Sequence, residues 1–277
     1  MGIADSNLGG CKVIGIDDLD VPIYRIFPKK RLVEVFSSNK LVLVPPYFWD
    51  DPFESMESKI GVSYRCGNNY SPQVIVGNGL PPIFAQSWSL TKDSDTLLRA
   101  YSRVVKETRL GENQVPDEEG VKVTSTPRKL IAAMNQALIS YDGASSFIGQ
   151  VDYVLRSEWE QKLDRMLKAH GTDVFKLTSN RANLLLTKRA GFSHEAEVRL
   201  IVALADSHSP FPKVLGLDVE VGSLIDAIEF DPRLNMSDIS SREKEFRALG
   251  YKGDFLTSDL YEQILFYSVI DVQELPA

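Results

Sequence analysis

Segments in which hydrophobic and polar residues alternate are interspersed along the chain with segments whose hydrophobic residues lie three and four positions apart. Alternation is typical of a strand with one buried face, and the longer spacing is typical of an amphipathic helix. The pattern predicts strands at residues 21–27, 40–44, 84–90, 150–155, 215–221 and 227–230. It predicts helices at residues 29–37, 94–105, 127–139, 157–168, 180–188 and 237–249. Because strands and helices are mixed without a fixed repeat, we expect an α+β fold.

The distribution of glycine, aspartate and proline indicates the domain organisation. Residues 1–20 are rich in Gly and Asp, so we expect a loose N-terminal segment, with order beginning at residue 21. No linker rich in Pro, Gly or Ser divides the rest of the chain, which predicts a single domain over residues 21–277. The polar residues 111–120 are expected to form a turn region inside it.

Charged and apolar residues alternate in the segment 194–202. On an extended strand, Glu195, Glu197 and Arg199 would share one face, while the apolar residues between them would share the other. Ionised groups on a strand that also feeds the core are costly unless they pair with each other or with a ligand. The simplest interpretation is the solvated face of a half-buried sheet, and the alternative is a functional site.

Composition narrows the possible partners of the protein. The chain has 277 residues, 43% of them hydrophobic, and a formal charge of -7. This charge argues against a generally basic surface for nucleic acid or membrane, so a nucleic-acid partner would need a local basic patch. Cys11 and Cys66 lack the spacing of a metal site, the N-terminus lacks an export signal, and no apolar run approaches the roughly 20 residues of a membrane span. We therefore expect a cytoplasmic protein without membrane contact.

Three further blocks carry residues suited to a site. Arg25 lies on the first predicted strand, Ser87 and Ser89 face the same way on the strand at residues 84–90, and an aromatic and acidic loop spans residues 47–54. Each block also has an ordinary explanation. An edge-strand arginine is often a surface ion-pair partner, serines are common on polar strand faces, and Asp-Pro followed by Glu is typical of a helix start.

In this order, the blocks Tyr24-Arg25, Asp50-Asp51-Pro52-Phe53-Glu54, Ser87-Trp88-Ser89 and Glu195-x-Glu197-x-Arg199 resemble a bacterial and phage family of domains of unknown function. The resemblance covers most of residues 22–205. The succession of Arg, Ser-x-Ser and Glu-x-Glu is also similar to the signature of the ADP-ribosyltransferase superfamily. That resemblance implies a mixed, mostly antiparallel sheet core with inserted helices. A helical insertion at about residues 127–190 would account for the distance between the Ser-x-Ser block and the Glu-x-Glu block.

The resemblance implies that NAD is the cofactor. Arg25 would hold a phosphate or ribose of NAD through charge-assisted hydrogen bonds, with Tyr24 beside it. Ser87, supported by Ser89, would order the pocket for the nicotinamide ribose.

The same resemblance implies the catalytic groups. Glu197 would stabilise the positive charge that develops as nicotinamide leaves, and Glu195 would orient or deprotonate the acceptor. An aromatic residue, Tyr47, Phe48 or Trp49, would stack on a nucleotide ring. The implied protein is a transferase that modifies a macromolecule, either protein or nucleic acid. It would act as a toxin or a phage-defence effector, with a possible antitoxin or immunity partner.

Two other classes of function are compatible with the same residues. The carboxylates of Asp50, Asp51, Glu54, Glu195 and Glu197 could converge on Mg²⁺ for phosphodiester hydrolysis, because that ion prefers oxygen ligands. Alternatively, the acidic strand could recognise a basic partner without any reaction. The chain carries no phosphate-binding glycine loop, Rossmann fingerprint or Cys-x-x-Cys metal motif.

Overall fold

The computed structural model describes residues 6–104, 115–262 and 266–271. The strands within these ranges are β1 Ser6–Leu8, β2 Cys11–Ile14, β3 Ile23–Pro28, β4 Lys40–Leu43, β5 Gly61–Val62, β6 Arg65–Cys66, β7 Asn69–Tyr70, β8 Val74–Ile75, β9 Ile83–Ser89, β10 Gly120–Ser125, β11 Ser145–Gln150, β12 Asp152–Val154, β13 Thr187–Arg189, β14 Glu197–Ala203, β15 Leu215–Asp218, β16 Ala227–Phe230 and β17 Asp254–Leu256. The helices are α1 Lys29–Ser38, α2 Asp95–Tyr101, α3 Pro127–Ala137, α4 Arg156–His170, α5 Thr178–Leu185, α6 Val221–Leu224 and α7 Met236–Ala248.

Among the described residues, nine strands form one large sheet in the order β1-β2-β11-β14-β9-β3-β10-β16-β17. The β2–β11 and β16–β17 pairs are parallel, and the other neighbours are antiparallel. The expected α+β class with a mixed, mostly antiparallel sheet is therefore confirmed. Within the described ranges, no helix is both long enough and apolar enough to cross a membrane.

The large sheet is covered on both faces. Helices α1, α3, α6 and α7 pack on one face, over a core that contains Trp88, Leu200 and Phe246. Helix α5 packs on the other face, against a smaller core around Phe147 and Ile201. Since side chains alternate along a strand, β9 and β14 contribute to both cores, and Ser87, Ser89, Glu197 and Arg199 lie on the α5 face.

Local sequence explains where several helices begin and end. Thr126 and Ser94 accept hydrogen bonds from the first-turn N–H groups of α3 and α2, and Pro127 occupies the first turn of α3. Asn39, in the left-handed conformation, ends α1.

The sheet has a seam between β3 and β9. In the described chain, β9 pairs with β14 over the whole of its length, whereas its ladder with β3 consists of Tyr24 opposite Ser89. At the other end of the same β9 edge, the backbone of Ala85 pairs with Val44. Between these two points the strands diverge, and a cleft opens.

Several sequence predictions were wrong. The segment 1–20 was expected to be loose, but β1 and β2 form an edge of the large sheet because Cys11 and Val13 are buried in its core. The segment 127–190 was expected to be a helical insertion, but it also supplies β11, which lies between β2 and β14. The helix predicted at 180–188 ends at Leu185, and Lys188 lies on β13. Residues 105–114, part of the predicted helix 94–105 and turn region 111–120, lie outside the described residues.

Candidate active site

The cleft between β3 and β9 has a volume of about 480 Å³. This size lies within the usual range for small-molecule sites, about 300–1,000 Å³. Most of the residues singled out in the sequence line it: Tyr24, Arg25, Phe48, Trp49, Asp50, Asp51, Glu54, Ser87, Ser89, Glu195 and Glu197. The fold therefore brings together blocks that are far apart in the sequence.

Arg25 lies at the seam of the sheet. One of its terminal nitrogens donates a hydrogen bond to the Ser87 carbonyl, and the guanidinium lies 4.8 Å from the centre of the Phe27 ring. The Nε atom is buried and has no hydrogen-bond partner among the described residues. Burial lowers the pKa of Arg25 to about 10, so the group keeps its charge at neutral pH. A partly buried cation with an unpaired donor at a cleft is suited to an anionic or carbonyl-bearing ligand.

The side chains of Ser87 and Ser89 on β9 lie on the same face of the sheet as those of Glu197 and Arg199 on β14. Ser87 is opposite Arg199, and Ser89 is opposite Glu197, in the antiparallel register of β9 and β14. The Ser89 hydroxyl donates to the Glu195 carbonyl over 2.6 Å and accepts from the Thr91 N–H. Ser89 thus fixes the turn that leads into β14, whereas the structure gives the Ser87 side chain no such role.

Glu197, the first residue of β14, is 4% exposed. Its carboxylate accepts hydrogen bonds from Lys188 Nζ at 2.7 Å and from Arg199 Nε at 2.7 Å. The Tyr153 hydroxyl accepts the Glu197 backbone N–H. Burial alone would raise the pKa of Glu197, but the charge and hydrogen bonds of Arg199 outweigh it and hold this pKa well below its usual range. Glu197 is therefore ionised at neutral pH.

Glu195 lies in a 3₁₀ turn, Ala190–Glu195, and not on the strand. Ala196 separates it from β14 in the left-handed conformation, with φ of 44°. The expectation that Glu195, Glu197 and Arg199 share one face of a strand was therefore wrong for Glu195. The turn instead brings the Glu195 carboxylate to 2.6 Å from Lys188 Nζ.

Glu195 and Glu197 have opposite protonation tendencies. Burial and then the hydrogen bond shared with Glu197 raise the pKa of Glu195 to about 7. Two adjacent carboxylates of which one is ionised and the other titrates near neutrality form an arrangement suited to proton transfer.

The loop at residues 50–54 contributes to the same cluster. Asp51 caps the turn that follows it, since its carboxylate accepts the Phe53 N–H, and it also pairs with Arg189 at 2.7 Å. Glu54 is buried and bonds to Arg199, with Lys188 Nζ at 3.3 Å. The loop starts a 3₁₀ helix at Pro52, as the helix-start interpretation predicted, and it also places Glu54 in the ion cluster with Arg199 and Lys188.

Trp49 does not lie free for stacking in the described structure. The Arg199 guanidinium sits 4.7 Å from the centre of its ring, and the ring packs against the smaller core. Tyr47 and Phe48 are exposed, with ring centres 4.7 Å apart, and Phe48 lines the cleft.

The carboxylates converge on cations of the protein. Glu54, Glu195 and Glu197 surround Lys188 and Arg199, and the described residues contain no group of three or more His, Cys, Asp or Glu side chains arranged to hold a metal ion. This arrangement disfavours the magnesium-site hypothesis, because the ammonium and the guanidinium occupy the space that the ion would need.

Sequence reasoning missed Lys188 and Tyr153. Lys188 was assigned to the end of a helix, and the short parallel pair of β12 and β13 gives no periodic signal that could have placed it beside Glu197. Glu54 was considered as a helix-capping residue and as a metal ligand, not as an ion-pair partner of Arg199.

Comparison with protein-family models gave no match, and comparison with curated proteins gave none either. Solved structures of Thermus sp. 2.9 DarT resemble the chain weakly. The complex with ADP-ribosylated ssDNA is 11% identical, with a TM-score of 0.38 over 90% of this chain and 98% of that one. The complex with NAD+ is 12% identical, with a TM-score of 0.37 over 88% and 98%. The complex with carba-NAD+ is 13% identical, with a TM-score of 0.36 over 88% and 99%.

Proposed function

We propose that the protein is an NAD-dependent ADP-ribosyltransferase. The observation that carries the proposal is that Arg25, the Ser87–Ser89 strand and the buried, ionised Glu197 line one cleft, although they are far apart in the sequence. These are the groups that the resemblance to the ADP-ribosyltransferase superfamily singles out.

The cleft supports binding of a nucleotide. In the part of the chain that the structure describes, the buried Nε–H of Arg25 has no partner, which suits a phosphate or ribose oxygen of NAD. Tyr24 and Phe48 add ring surface at the wall of the cleft. The Ser87 carbonyl and the Ser89 hydroxyl lie along β9 between Arg25 and Glu197, where the nicotinamide ribose would be placed.

Glu197 provides the charge that the reaction requires. Cleavage of the bond between nicotinamide and ribose leaves positive charge on the ribose, and a fixed carboxylate in a site of low polarity stabilises it. Lys188 and Arg199 hold the carboxylate in place before substrate arrives, so the charge needs no reorganisation. The ADP-ribose is then transferred to a nucleophile of the acceptor.

The acceptor in this proposal is a macromolecule, either protein or nucleic acid. A toxin or phage-defence role and an antitoxin or immunity partner follow from the resemblance. A cytoplasmic location follows from the cysteine usage and the N-terminal sequence, and all of these remain predictions. The acidic net charge of -7 indicates that a nucleic-acid acceptor would have to be bound locally, at the cleft.

The test is incubation of the purified protein with NAD labelled in the adenylate moiety, together with a bacterial lysate. Label is read in protein and in nucleic acid, and released nicotinamide is measured. We expect label in one acceptor class, with loss of at least about 100-fold in the Glu197→Gln variant.

Glu34→Gln is the matched control, since Glu34 is an exposed carboxylate on α1 that pairs with Arg31. It should transfer label at the wild-type rate. Intact NAD and unlabelled acceptors after incubation with the wild-type protein would refute the proposal and favour a binding module.

A further inference from the structure

Lys188 is the point at which the carboxylates of the candidate active site meet. Its Nζ lies 2.6 Å from Glu195, 2.7 Å from Glu197 and 3.3 Å from Glu54. The side chain is 7% exposed and lies over the Phe192 ring at 4.7 Å. An ammonium has three N–H donors, so Lys188 can satisfy these carboxylates at the same time.

The net charge of the cluster around Lys188 depends on the protonation of Glu195. Glu54, Glu195 and Glu197 would carry three negative charges when ionised, against the two positive charges of Lys188 and Arg199. Neutral Glu195 makes the cluster neutral, and ionised Glu195 leaves it with one excess negative charge. Further titratable side chains that interact with Glu195 or Glu197 include Arg25, Tyr101 and Tyr153.

We propose that Lys188 is a positioning residue, which holds Glu195 beside Glu197 at the cleft so that Glu195 accepts the proton of the attacking nucleophile. The inference rests on the proposed function. Arg199 is already bound to Glu197 through two of its nitrogens and to the Leu185 carbonyl through the third, whereas Glu195 is tied to the cluster by Lys188. Lys188 therefore acts mainly on the step that needs Glu195.

In this step, the nucleophile of the acceptor forms a bond to the anomeric carbon of the ribose, and the bond from that carbon to the nicotinamide nitrogen breaks. The electron pair of that bond leaves with nicotinamide, which becomes neutral. The proton of the nucleophile passes to ionised Glu195 and from there to water.

The experiment compares Lys188→Met and Lys188→Arg with the wild-type protein, measuring transfer of label and release of nicotinamide across the pH range. The transfer rate should increase with pH as Glu195 loses its proton. In Lys188→Met this increase should occur at a pH roughly one unit higher, because Glu195 loses its proton less readily without the ammonium beside it. Transfer at neutral pH should fall about fivefold more than nicotinamide release. Lys188→Arg, which keeps the charge, should retain most of the transfer.

Lys29→Met is the matched control. Lys29 is a mostly buried lysine on α1 that pairs with Glu245 at 3.2 Å, and it does not line the cleft. Its pH profile should coincide with that of the wild type. An unshifted profile for Lys188→Met would overturn the role of Lys188 alone, while absence of nicotinamide release from the wild type would overturn the proposed function.

A second measurement needs neither activity nor a stable Lys188→Met protein. Carboxyl ¹³C spectra of the wild-type protein, with Glu195→Gln for assignment, follow Glu195 and Glu197 as the pH changes. We expect the two signals to shift together, with Glu195 as the group that gains the proton. Titration of Glu195 at its ordinary value, independent of Glu197, would overturn the inference.

Discussion

At the scale of residues, the site depends on burial of carboxylates with matching cations. Arg199 is 1% exposed and bonds to Glu197, Glu54 and the Leu185 carbonyl. A buried ion cluster of this kind contributes little net stability, but removal of one member leaves the others without compensation. Stability and function of the site are therefore linked through the same side chains.

Replacement of Arg199 by Met should lower the free energy of unfolding by about 3–5 kcal/mol, because Glu54 and Glu197 lose their shared partner. Urea unfolding measures this change. Arg31→Met removes an arginine whose side chain is 68% exposed and paired with Glu34, and it should leave the free energy of unfolding nearly unchanged. Equal effects of the two substitutions would contradict the burial argument.

Stability should also depend on the protonation of Glu195. The pKa of this group is about 7 in the folded protein, against an ordinary value of 4.5, so the folded state holds the proton more tightly than the unfolded chain. The contribution of this proton to the free energy of unfolding is therefore fully present below about pH 4.5 and is lost as the pH rises through about 7.

Glu195→Gln keeps this position neutral at every pH. The free energy of unfolding of the variant relative to the wild type should therefore rise between about pH 5 and about pH 8, by on the order of 2 kcal/mol. Urea titrations at several pH values measure it, with Glu34→Gln as the control. A constant difference across this range would show that Glu195 titrates normally.

At the scale of elements, the turn before β14 places Glu195 against Lys188. Ala196 adopts φ of 44°, a conformation that costs a residue with a Cβ atom about 1 kcal/mol. The Ser89 hydroxyl holds the turn through the Glu195 carbonyl. Because of this turn, Glu195 does not follow the alternation of β14, and the carboxylates of Glu195 and Glu197 both reach the Lys188 ammonium.

Ala196→Gly should raise the free energy of unfolding slightly or leave it unchanged, because glycine adopts the left-handed conformation without strain. Ala133→Gly, the same substitution within helix α3, should lower it by about 1 kcal/mol. Thermal and urea unfolding compare the two variants. Equal destabilisation would mean that the turn does not strain Ala196.

The sequence predicted those elements whose periodicity is strong and local. The helix at 29–37 and the strand at 227–230 are confirmed within a residue or two as α1 and β16. Glu195 was misplaced because a left-handed alanine leaves no trace in an alternating pattern. Lys188 was missed because β13 is three residues long and is held by tertiary pairing with β12.

At the scale of the whole molecule, the cleft exists because the large sheet is divided at one position. Strands β9 and β3 are neighbours, yet in the described chain their backbones meet at Ser89 and Tyr24. The sequence could predict both strands and place Arg25 on one of them, but the order of strands in a sheet depends on contacts between distant segments. The meeting of Arg25 and Glu197 at one cleft was implied by the resemblance and not by the pattern of either strand.

Binding at the cleft should stabilise the whole fold. NAD at about 100 times its dissociation constant should add about 2.7 kcal/mol to the free energy of unfolding and raise the melting temperature. Arg25→Ala should abolish most of this shift, since the guanidinium that lines the cleft is lost. Arg128→Ala, an exposed arginine paired with Asp20, is the control and should keep the full shift. A shift preserved in Arg25→Ala would exclude Arg25 from the binding site.

At the seam between β3 and β9, the Arg25 side chain supplies the hydrogen bond that the backbone of a neighbouring strand would otherwise give to β9. Along the edge of β9 that faces β3, Ala85 is paired with the backbone of Val44 and Ser89 with that of Tyr24, while the Ser87 carbonyl between them is bonded by the guanidinium. A buried carbonyl that loses its donor is costly. A ligand that draws Arg25 away must therefore offer Ser87 an N–H or O–H of its own, and a ligand without one must share the arginine through its remaining donors. The interrupted pairing of β9 with β3 therefore selects ligands by their hydrogen-bonding groups. A ligand that takes Arg25 away from Ser87 must carry both an acceptor for Arg25 and a donor for the Ser87 carbonyl.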